Sequence, residues 1–579
     1  MKTLKELIKN LKFTWEFAKN EKFLLFLNII SYIVWISVSI LMPILSAKII
    51  VSLTNNDLEK LLYFAIVIFI VNIFDYFFDY IIRITNLKIY RNILEKLEIE
   101  LSKNILKIEN KCLDETGSGV FIQRITNDTT YLAEIFNSLF EQISGVIQYL
   151  GIIIAIFIMN KLIFIYSILM VTTLFVIERI RTNKRNDDDK VYRKANEKLY
   201  GFVGELVRGA RDIKMLNSEN DFTNELSTII KDAKNKIYIL QKKSWSYRLL
   251  SNMSINIFEL LLMIILILFL KNHFIETTTA LVIYNYFSKL EWSSWVAGDV
   301  LEYVKSFNLS ADRIKSILKD DEFKKEKFGT IHIDNIKGNF EFKNVSFSYD
   351  TNKVLKNLSF KINANETVAF VGKSGAGKTT IFNLLCKMYD IDKGKITIDG
   401  IDIKDLDKDS IRGNITIISQ DPYLFNMSIK DNLKLVKSNV TMKEIKEACK
   451  IACLDDFINK LPNKYDTIIG EGGINLSGGQ KQRLAIARAL IQKTKIILFD
   501  EATSALDNET QSKIQTAIEN MRNDYTILII AHRLSTIINA DHILYLNNGK
   551  IEAKGTHEEL LKTSDSYKNL YESELSKNK

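Results

Sequence analysis

Six long apolar runs fill most of the first half of this 579-residue chain, at about 23–50, 58–80, 136–159, 161–180, 250–271 and 277–300. About 20 helical residues cross a bilayer core roughly 30 Å thick. In hydrocarbon, every backbone N–H and C=O must find its partner within its own segment, so runs of this length have the helix as their solution. The first half is therefore expected to be a polytopic α-helical membrane domain. Its connections alternate in kind. SLTNND, the Asn160–Lys161 junction and KNHFIE are tiny, whereas the second and fourth runs are followed by connections of about fifty and seventy residues. Both long ones are basic, with Lys88, Arg91, Lys96, Lys103 and Lys107 in the first and Arg181, Lys184, Arg185, Arg193 and Lys194 in the second. Positive loops stay inside. Both long connections and both termini are thus expected in the cytoplasm of a multi-pass protein of the cell membrane.

Residues 1–22 mix Lys and Glu with apolar positions and read as an interfacial helix rather than a cleavable signal. The net charge of +9 does not point to nucleic acid, because acids are interspersed and no basic–aromatic stripe is present. Four cysteines are too few for a disulfide framework, and Cys449 and Cys453, spaced i,i+4, read as one buried helix face.

The second half carries the composition of a soluble α/β domain. Residues 372–379 read GKSGAGKT and fit G-x-x-x-x-G-K-[ST], between the strand-like TVAFV (367–371) and the helix-like TIFNLLCKM (380–388). Glycines there let backbone N–H groups curl around phosphate oxygens, and the helix N-terminus adds positive potential. Gly372, Ser374, Gly375, Ala376, Gly377, Lys378, Thr379 and Thr380 would bind a nucleoside triphosphate, with Lys378 on the β- and γ-phosphates and the Thr379 hydroxyl on Mg2+. A hundred residues later come LSGGQ (476–480) and IILFDE (496–501).

This ordered trio resembles the ATP-binding cassette (ABC) family, and LSGGQ matches that family's signature without a change. The resemblance implies ATP and Mg2+ as ligands and assigns further roles. Tyr349 in VSFSY would stack on adenine, and Gln420 after ITIIS would be the Q-loop glutamine near the metal. Asp500 would hold Mg2+ with Thr379 and Gln420, Glu501 would polarise the attacking water, and SALD (504–507) would be the D-loop. His532 after TILIIA would hold the γ-phosphate, so that Glu501, His532, Gln420 and Lys378 form the catalytic set. Ser477, Gly478, Gly479 and Gln480 would close over the ATP of a second cassette. With one cassette and six spans, the chain resembles an exporter-type half transporter. That implies a partner chain, with a homodimer favoured and a heterodimer open.

The expected domains are an interfacial helix (1–22), a transmembrane domain (23–318, with cytoplasmic loops 81–135 and 181–249), a linker (319–337) and a nucleotide-binding domain (338–579). In similar exporters a segment like VFIQRITNDTTYL, after the turn ETGSG (115–119), makes the first short helix that docks on the ATPase, and 205–219 resembles the second docking region. Within the spans, Glu259, Asp75, Lys289 and Glu291 are the ionisable candidates for substrate contact. Together with nearby aromatics they suit amphipathic cations or basic peptides. The expected function is ATP-driven export of hydrophobic or amphipathic molecules such as drugs, lipids or peptides, by alternating access in a bacterial membrane. A lipid flippase, an exporter-like importer, and an ATP-gated channel or sensor are the alternatives.

Overall fold

The computed structural model describes residues 2–577 apart from 291–292, 321, 420–421, 471–472, 501–511, 513–514, 517, 520, 523 and 531–536. The chain divides into two compact units. One is helical and comprises Met1–Lys107 and Thr116–Phe323; the other comprises Ile108–Glu115 and Lys324–Lys579.

The helical unit contains α1 (Lys2–Ala18), α2 (Lys22–Thr54) and α3 (Leu58–Ile105). The short α4 (Asn110–Thr116) follows, then α5 (Ser118–Gln123), a π-helical turn (Arg124–Asp128) and α6 (Thr129–Met159). The rest of the unit is α7 (Lys161–Met215), α8 (Glu219–Lys271), α9 (Thr277–Leu290) and α10 (Ser293–Leu318). Helix signals are local. The Asp57 side chain accepts from the Lys60 N–H to cap α3. Asn160 caps α7 by accepting from the N–H groups of Leu162 (3.0 Å) and Ile163 (3.1 Å), so the chain reverses within a single residue.

Among the described residues, five stretches are long and apolar enough to cross a membrane: Lys5–Thr54, Leu58–Ile105, Ser118–Met159, Lys161–Met215 and Glu219–Lys271. The sixth expected run, 277–300, is carried by α9 and the start of α10, with 291–292 outside the described residues. Lys289, Glu291 and Asp299, together with its Thr, Ser and Asn positions, make it the most polar of the six. α9 nevertheless lies at the centre of the unit. Ile283, Tyr286, Phe287 and Leu290 are fully buried and pack with Ala47, Ile152, Ile163, Leu174 and Leu262 from the neighbouring helices. Large apolar side chains such as Phe69, Ile73, Ile154 and Ile264 are exposed on the outside, as a lipid-facing surface requires.

Ile108–Glu115, before the turn, counts with the second unit, whereas 120–132 stays in the helical one. Gly117, at φ +76°, ends α4. The buried polar groups beyond it bond to α10: Asp128 accepts from Ser310 Oγ at 2.8 Å, and Arg124 donates to Ser316 Oγ at 2.9 Å. Residues 205–219 form the end of α7 and the turn into α8, with Asn217 at φ +53°.

The second unit holds two larger sheets and a two-stranded one of β7 (Met427–Ser428) and β8 (Ile468–Ile469). A mainly antiparallel sheet has the order β2-β1-β4-β5, from β1 (Phe340–Tyr349), β2 (Asn352–Ile362), β4 (Lys393–Ile398) and β5 (Ile401–Asp402). A six-stranded sheet has the order β12-β11-β3-β10-β9-β6, from β3 (Thr367–Gly372), β6 (Ile415–Ile418), β9 (Ile496–Asp500), β10 (Thr526–Ile530), β11 (His542–Asn547) and β12 (Lys550–Gly555). β3, β6, β9, β10 and β11 run parallel, and β12 is antiparallel. β3, β9 and β10 are almost wholly buried, which matches continuous apolar strands covered on both faces. Residues ahead of β1 pack on this unit. Arg412 donates to both carboxylate oxygens of Glu326 (2.8 and 2.6 Å), and Ile331 pairs with Leu406. Cys449 is buried, but the helix Met442–Ile451 ends before Cys453, which sits in a turn at φ +54°. The expected shared helix face is therefore not formed. Burial pushes the Cys449 thiol up to about 12.

Candidate nucleotide site

β3 delivers Gly372 to the loop 373–377, and the helix Lys378–Leu385 departs from it. Gly372, Gly375 and Gly377 have φ of +153°, +80° and +99°. At Gly377 a Cβ would sit 2.7 Å from the Leu355 side chain, so both the loop's conformation and its packing require glycine. Lys378 is buried, and its Nζ donates to the carbonyls of Gly372 (2.8 Å) and Lys373 (3.1 Å). It is thus stretched along its own loop, on the side where phosphates bind in such a turn. The helix is shorter than TIFNLLCKM suggests. It ends at Leu385, and Lys387 turns the chain at φ +49°.

Thr379 Oγ1 donates to Asp500 Oδ1 at 3.3 Å. Two hard oxygen ligands of the expected metal pair are therefore adjacent, from residues 121 apart. A hydroxyl and a carboxylate at this spacing fit Mg2+, which takes one or two protein oxygens plus phosphates and water.

Gln420, Glu501 and His532 lie outside the described residues. The strands leading to them end side by side. Ile418 registers with Phe499, Asp500 with Ile530, and Ile530 with Phe370. The carboxyl edge of β6, β9, β10 and β3 is the usual ligand position of a parallel sheet.

Tyr349, half-buried at the end of β1, stands edge-on to Phe347 (4.7 Å between ring centroids) and to Tyr389 (5.2 Å). Asn383 Nδ2 donates to the Tyr349 hydroxyl at 3.4 Å. The Tyr389 hydroxyl donates to Asp114 at 2.6 Å, which fixes the second ring from the segment Ile108–Glu115. A cavity of about 300 Å³ lies beside these rings, bounded also by Lys111, Asp350 and Met388. Sequence reading missed Tyr389, Asn383 and Asp114. Tyr389 follows directly on the helical pattern ending at Met388, an aromatic placed where periodicity had nothing left to say.

Ser477 caps the helix Gly478–Gln492. Its hydroxyl accepts from the Gln480 N–H (3.3 Å), while Gln480 Oε1 accepts from the Ser477 N–H (2.9 Å). This capping box holds Ser477, Gly478, Gly479 and Gln480 as one preformed helix N-terminus.

Two of the candidates in the spans have intramolecular partners. Glu259 accepts from the Tyr284 hydroxyl at 2.8 Å. Lys289 donates to the Ser39 carbonyl (2.8 Å) and hydroxyl (3.0 Å). Asp75 is half-buried on α3, and Glu291 lies outside the described residues. No hydrogen bond or ion pair joins Glu259, Asp75 and Lys289 to one another among the described residues.

Two family descriptions match this chain: ABC transporter transmembrane region over residues 25–292 and ABC transporter over 355–504. The uncharacterized ABC transporter ATP-binding protein YfiC of Bacillus subtilis is 30% identical over 569 residues, covering 97% of this chain and 94% of that protein. The chain belongs to the ABC transporter family. A solved structure of a bacterial Atm1-family ABC exporter with ATP bound superposes with a TM-score of 0.81 at 25% identity, covering 94% of this chain and 97% of that one. The ATP-dependent lipid A-core flippase of Pasteurella multocida is 48% identical over 246 residues, which is 42% of each protein. Membrane region and cassette in one chain make this ABC protein a half-size exporter, a multi-pass membrane protein that binds ATP and couples its hydrolysis to transport. A half transporter works as a dimer.

Proposed function

We propose that two copies of this chain pair in a bacterial cell membrane and export hydrophobic or amphipathic molecules, with both cassettes and all termini cytoplasmic. The observation that carries this reading is the cluster of Lys378, Thr379 and Asp500 at the carboxyl edge of the parallel sheet. Lys378 exchanges its loop carbonyls for the β- and γ-phosphates when ATP enters, and the loop N–H groups from Ser374 onward take the remaining phosphate oxygens. Mg2+, when bound, neutralises charge on the β- and γ-oxygens. Thr379 and Asp500, with Gln420, hold it. Tyr349 stacks on the adenine. Glu501 accepts the proton of the attacking water, and His532 orients the γ-phosphate. The Ser477–Gln480 helix end of one chain covers the ATP held by the other, so two composite sites form only in the dimer. Closure of the cassettes over ATP and their release after hydrolysis turn the membrane cavity outward and then inward.

The boundaries that go with this reading are 23–318 for the membrane domain and 338–579 for the cassette. The likeness of the cassette to a lipid A-core flippase favours amphipathic lipids among the candidate substrates. The test is reconstitution in vesicles. ATP-driven accumulation against a gradient, abolished in Glu501→Gln while ATP still binds, supports a pump. ATP-gated current without accumulation indicates a channel and overturns the reading. ATPase stimulation by cationic, neutral and anionic amphiphiles, in wild type and in Glu259→Gln, then identifies the substrate class.

A further inference from the structure

α1 presents three distinct faces. Asn10, Thr14 and Ala18 are buried against the protein. Ile8 (60% exposed) and Trp15 (41% exposed, with one edge on the Phe136 ring at 5.8 Å) form a partly exposed apolar stripe, continued on α2 by the exposed Phe23 and Phe26. Between these faces, Lys9, Lys12, Glu16 and Lys19 follow one another at helical spacing and line a cleft of about 800 Å³.

The opposite walls of the cleft are Lys96 and Lys103 of α3 and Lys315 and Lys319 of α10. Seven lysines therefore face two carboxylates, Glu16 and Glu100. Lys96 is paired with Glu21 at 3.2 Å. Lys315 is buried, bonded to Asn10 and held 5.1 Å from the centre of the Phe13 ring. Burial holds its ammonium group below the usual lysine range; Asp312 opposes this, and the charges of Lys9 and Lys319 add to it. The other five lysines have no ion-pair partner among the described residues. Such an excess of converging cations is self-repulsive until an anion enters.

We propose that this cleft binds the phosphate group of an anionic phospholipid from the cytoplasmic leaflet. Shared phosphate chemistry would also admit a soluble phosphate, but the neighbouring stripe favours lipid. Exposed Ile8 and Trp15 belong at the level of the headgroups, where tryptophan anchors concentrate, and their helix carries Lys9 and Lys12 on the adjoining face. Anionic headgroups attract lysines at this depth, by about fivefold in affinity for each. The cleft shares no residue with the nucleotide site and makes no demand on the transported substrate.

The test is native mass spectrometry of the purified full-length protein titrated with dioleoylphosphatidylglycerol, dioleoylphosphatidylcholine or inorganic phosphate. Wild type retains phosphatidylglycerol in a saturable, salt-sensitive way and retains phosphatidylcholine only weakly. The triple variant Lys9→Gln, Lys12→Gln, Lys319→Gln loses roughly a hundredfold in affinity for phosphatidylglycerol, with unchanged basal ATPase. A control triple on α8, Lys231→Gln, Lys234→Gln, Lys242→Gln, keeps the wild-type affinity. If the first triple does not purify, Lys12→Gln alone, with about a fivefold loss, decides the question in the same way. Equal retention of the two lipids, wild-type affinity in the cleft variants, or binding of inorganic phosphate in place of the lipid would overturn the proposal.

Discussion

The ammonium group of Lys289 lies 2.8 Å from the carbonyl oxygen of Ser39, the acceptor in α2 that Pro43, four residues on, cannot serve. Proline has no N–H, so the i−4 carbonyl of its helix is left open. In a span, where an orphaned carbonyl is costly, α9 supplies the missing donor. The neighbouring carbonyl of Ile40 is bonded in the same way by the Tyr286 hydroxyl at 2.7 Å. A charge that reads from sequence as a substrate contact thus has a structural partner. Lys289→Met should lower stability in detergent by roughly 1 kcal/mol. The loss should shrink in a Pro43→Ala background, where the helix regains its own N–H. A double-mutant cycle by thermal unfolding checks this; additivity of the two changes would exclude the link.

Tyr389 supports a second prediction. Its ring leans on Tyr349, and its hydroxyl is fixed by Asp114 of the segment Ile108–Glu115, 275 residues away in the chain. Burial, reinforced by Asp114, raises the phenol above its ordinary value, so it remains a donor at working pH. Tyr389→Phe keeps the ring and removes the tie. The expected result is a rise of about fivefold in the ATP concentration for half-maximal hydrolysis, the size of one ordinary hydrogen bond, with kcat within about twofold. Asp114→Asn, made in the wild-type background, can still accept from Tyr389 and should stay close to the wild-type value. Steady-state kinetics on the three proteins separates this from a general folding defect, which would lower kcat as well.

These two cases mark what the sequence conveys. The phosphate loop and its flanking strand were legible because they are local: β3 is a continuous apolar run, and Gly372, Gly375 and Gly377 stand where positive φ occurs. The capping box of Ser477 and Gln480 was not read from the sequence, although it spans only four residues. The adjacency of Thr379 and Asp500 came through the family resemblance rather than from spacing. The link from Tyr389 to Asp114 depends on how distant elements meet, which no periodicity encodes. Residues 120–132 keep a helical pattern, but the bonds of Arg124 and Asp128 that tie them to α10 join residues 192 and 182 apart in the chain, which no local pattern encodes.

A pH-dependent contribution is expected at the start of the cassette. His332 Nδ1 lies 2.7 Å from Asp407 Oδ2, and Asp407 also caps its helix by accepting from the Ser410 N–H at 2.8 Å. The bond to Asp407 raises His332 above its ordinary 6.5. The bonds from Ser410, with a smaller share from His332, lower Asp407 from 3.8 to about 2. The histidine's share is complete below pH 6.5 and is lost as pH rises through its raised value. The aspartate's share is present above 3.8 and is lost as pH falls toward 2. Cassette stability should therefore decline from pH 6 to 8 more in wild type than in His332→Gln. Parallel melting curves of the two proteins across that range check it, and identical slopes would rule out a contribution from the pair.

The glycines of the phosphate loop allow a steric test. Gly375 and Gly377 both have positive φ, at +80° and +99°. A Cβ on Gly375 meets nothing within 4 Å, whereas one on Gly377 would press on Leu355 (2.7 Å) and Val354 (3.3 Å). Gly375→Ala should cost only the left-handed backbone penalty of roughly 1–2 kcal/mol. Gly377→Ala adds a clash with β2, which must shift the loop carbonyls that Lys378 holds. Wild type should gain melting temperature on adding ATP, as any ligand selective for the native state requires. Gly375→Ala should keep most of that gain, and Gly377→Ala should lose it. If the two variants respond alike to ATP, packing against β2 does not set the shape of the loop, and backbone strain alone accounts for its glycines.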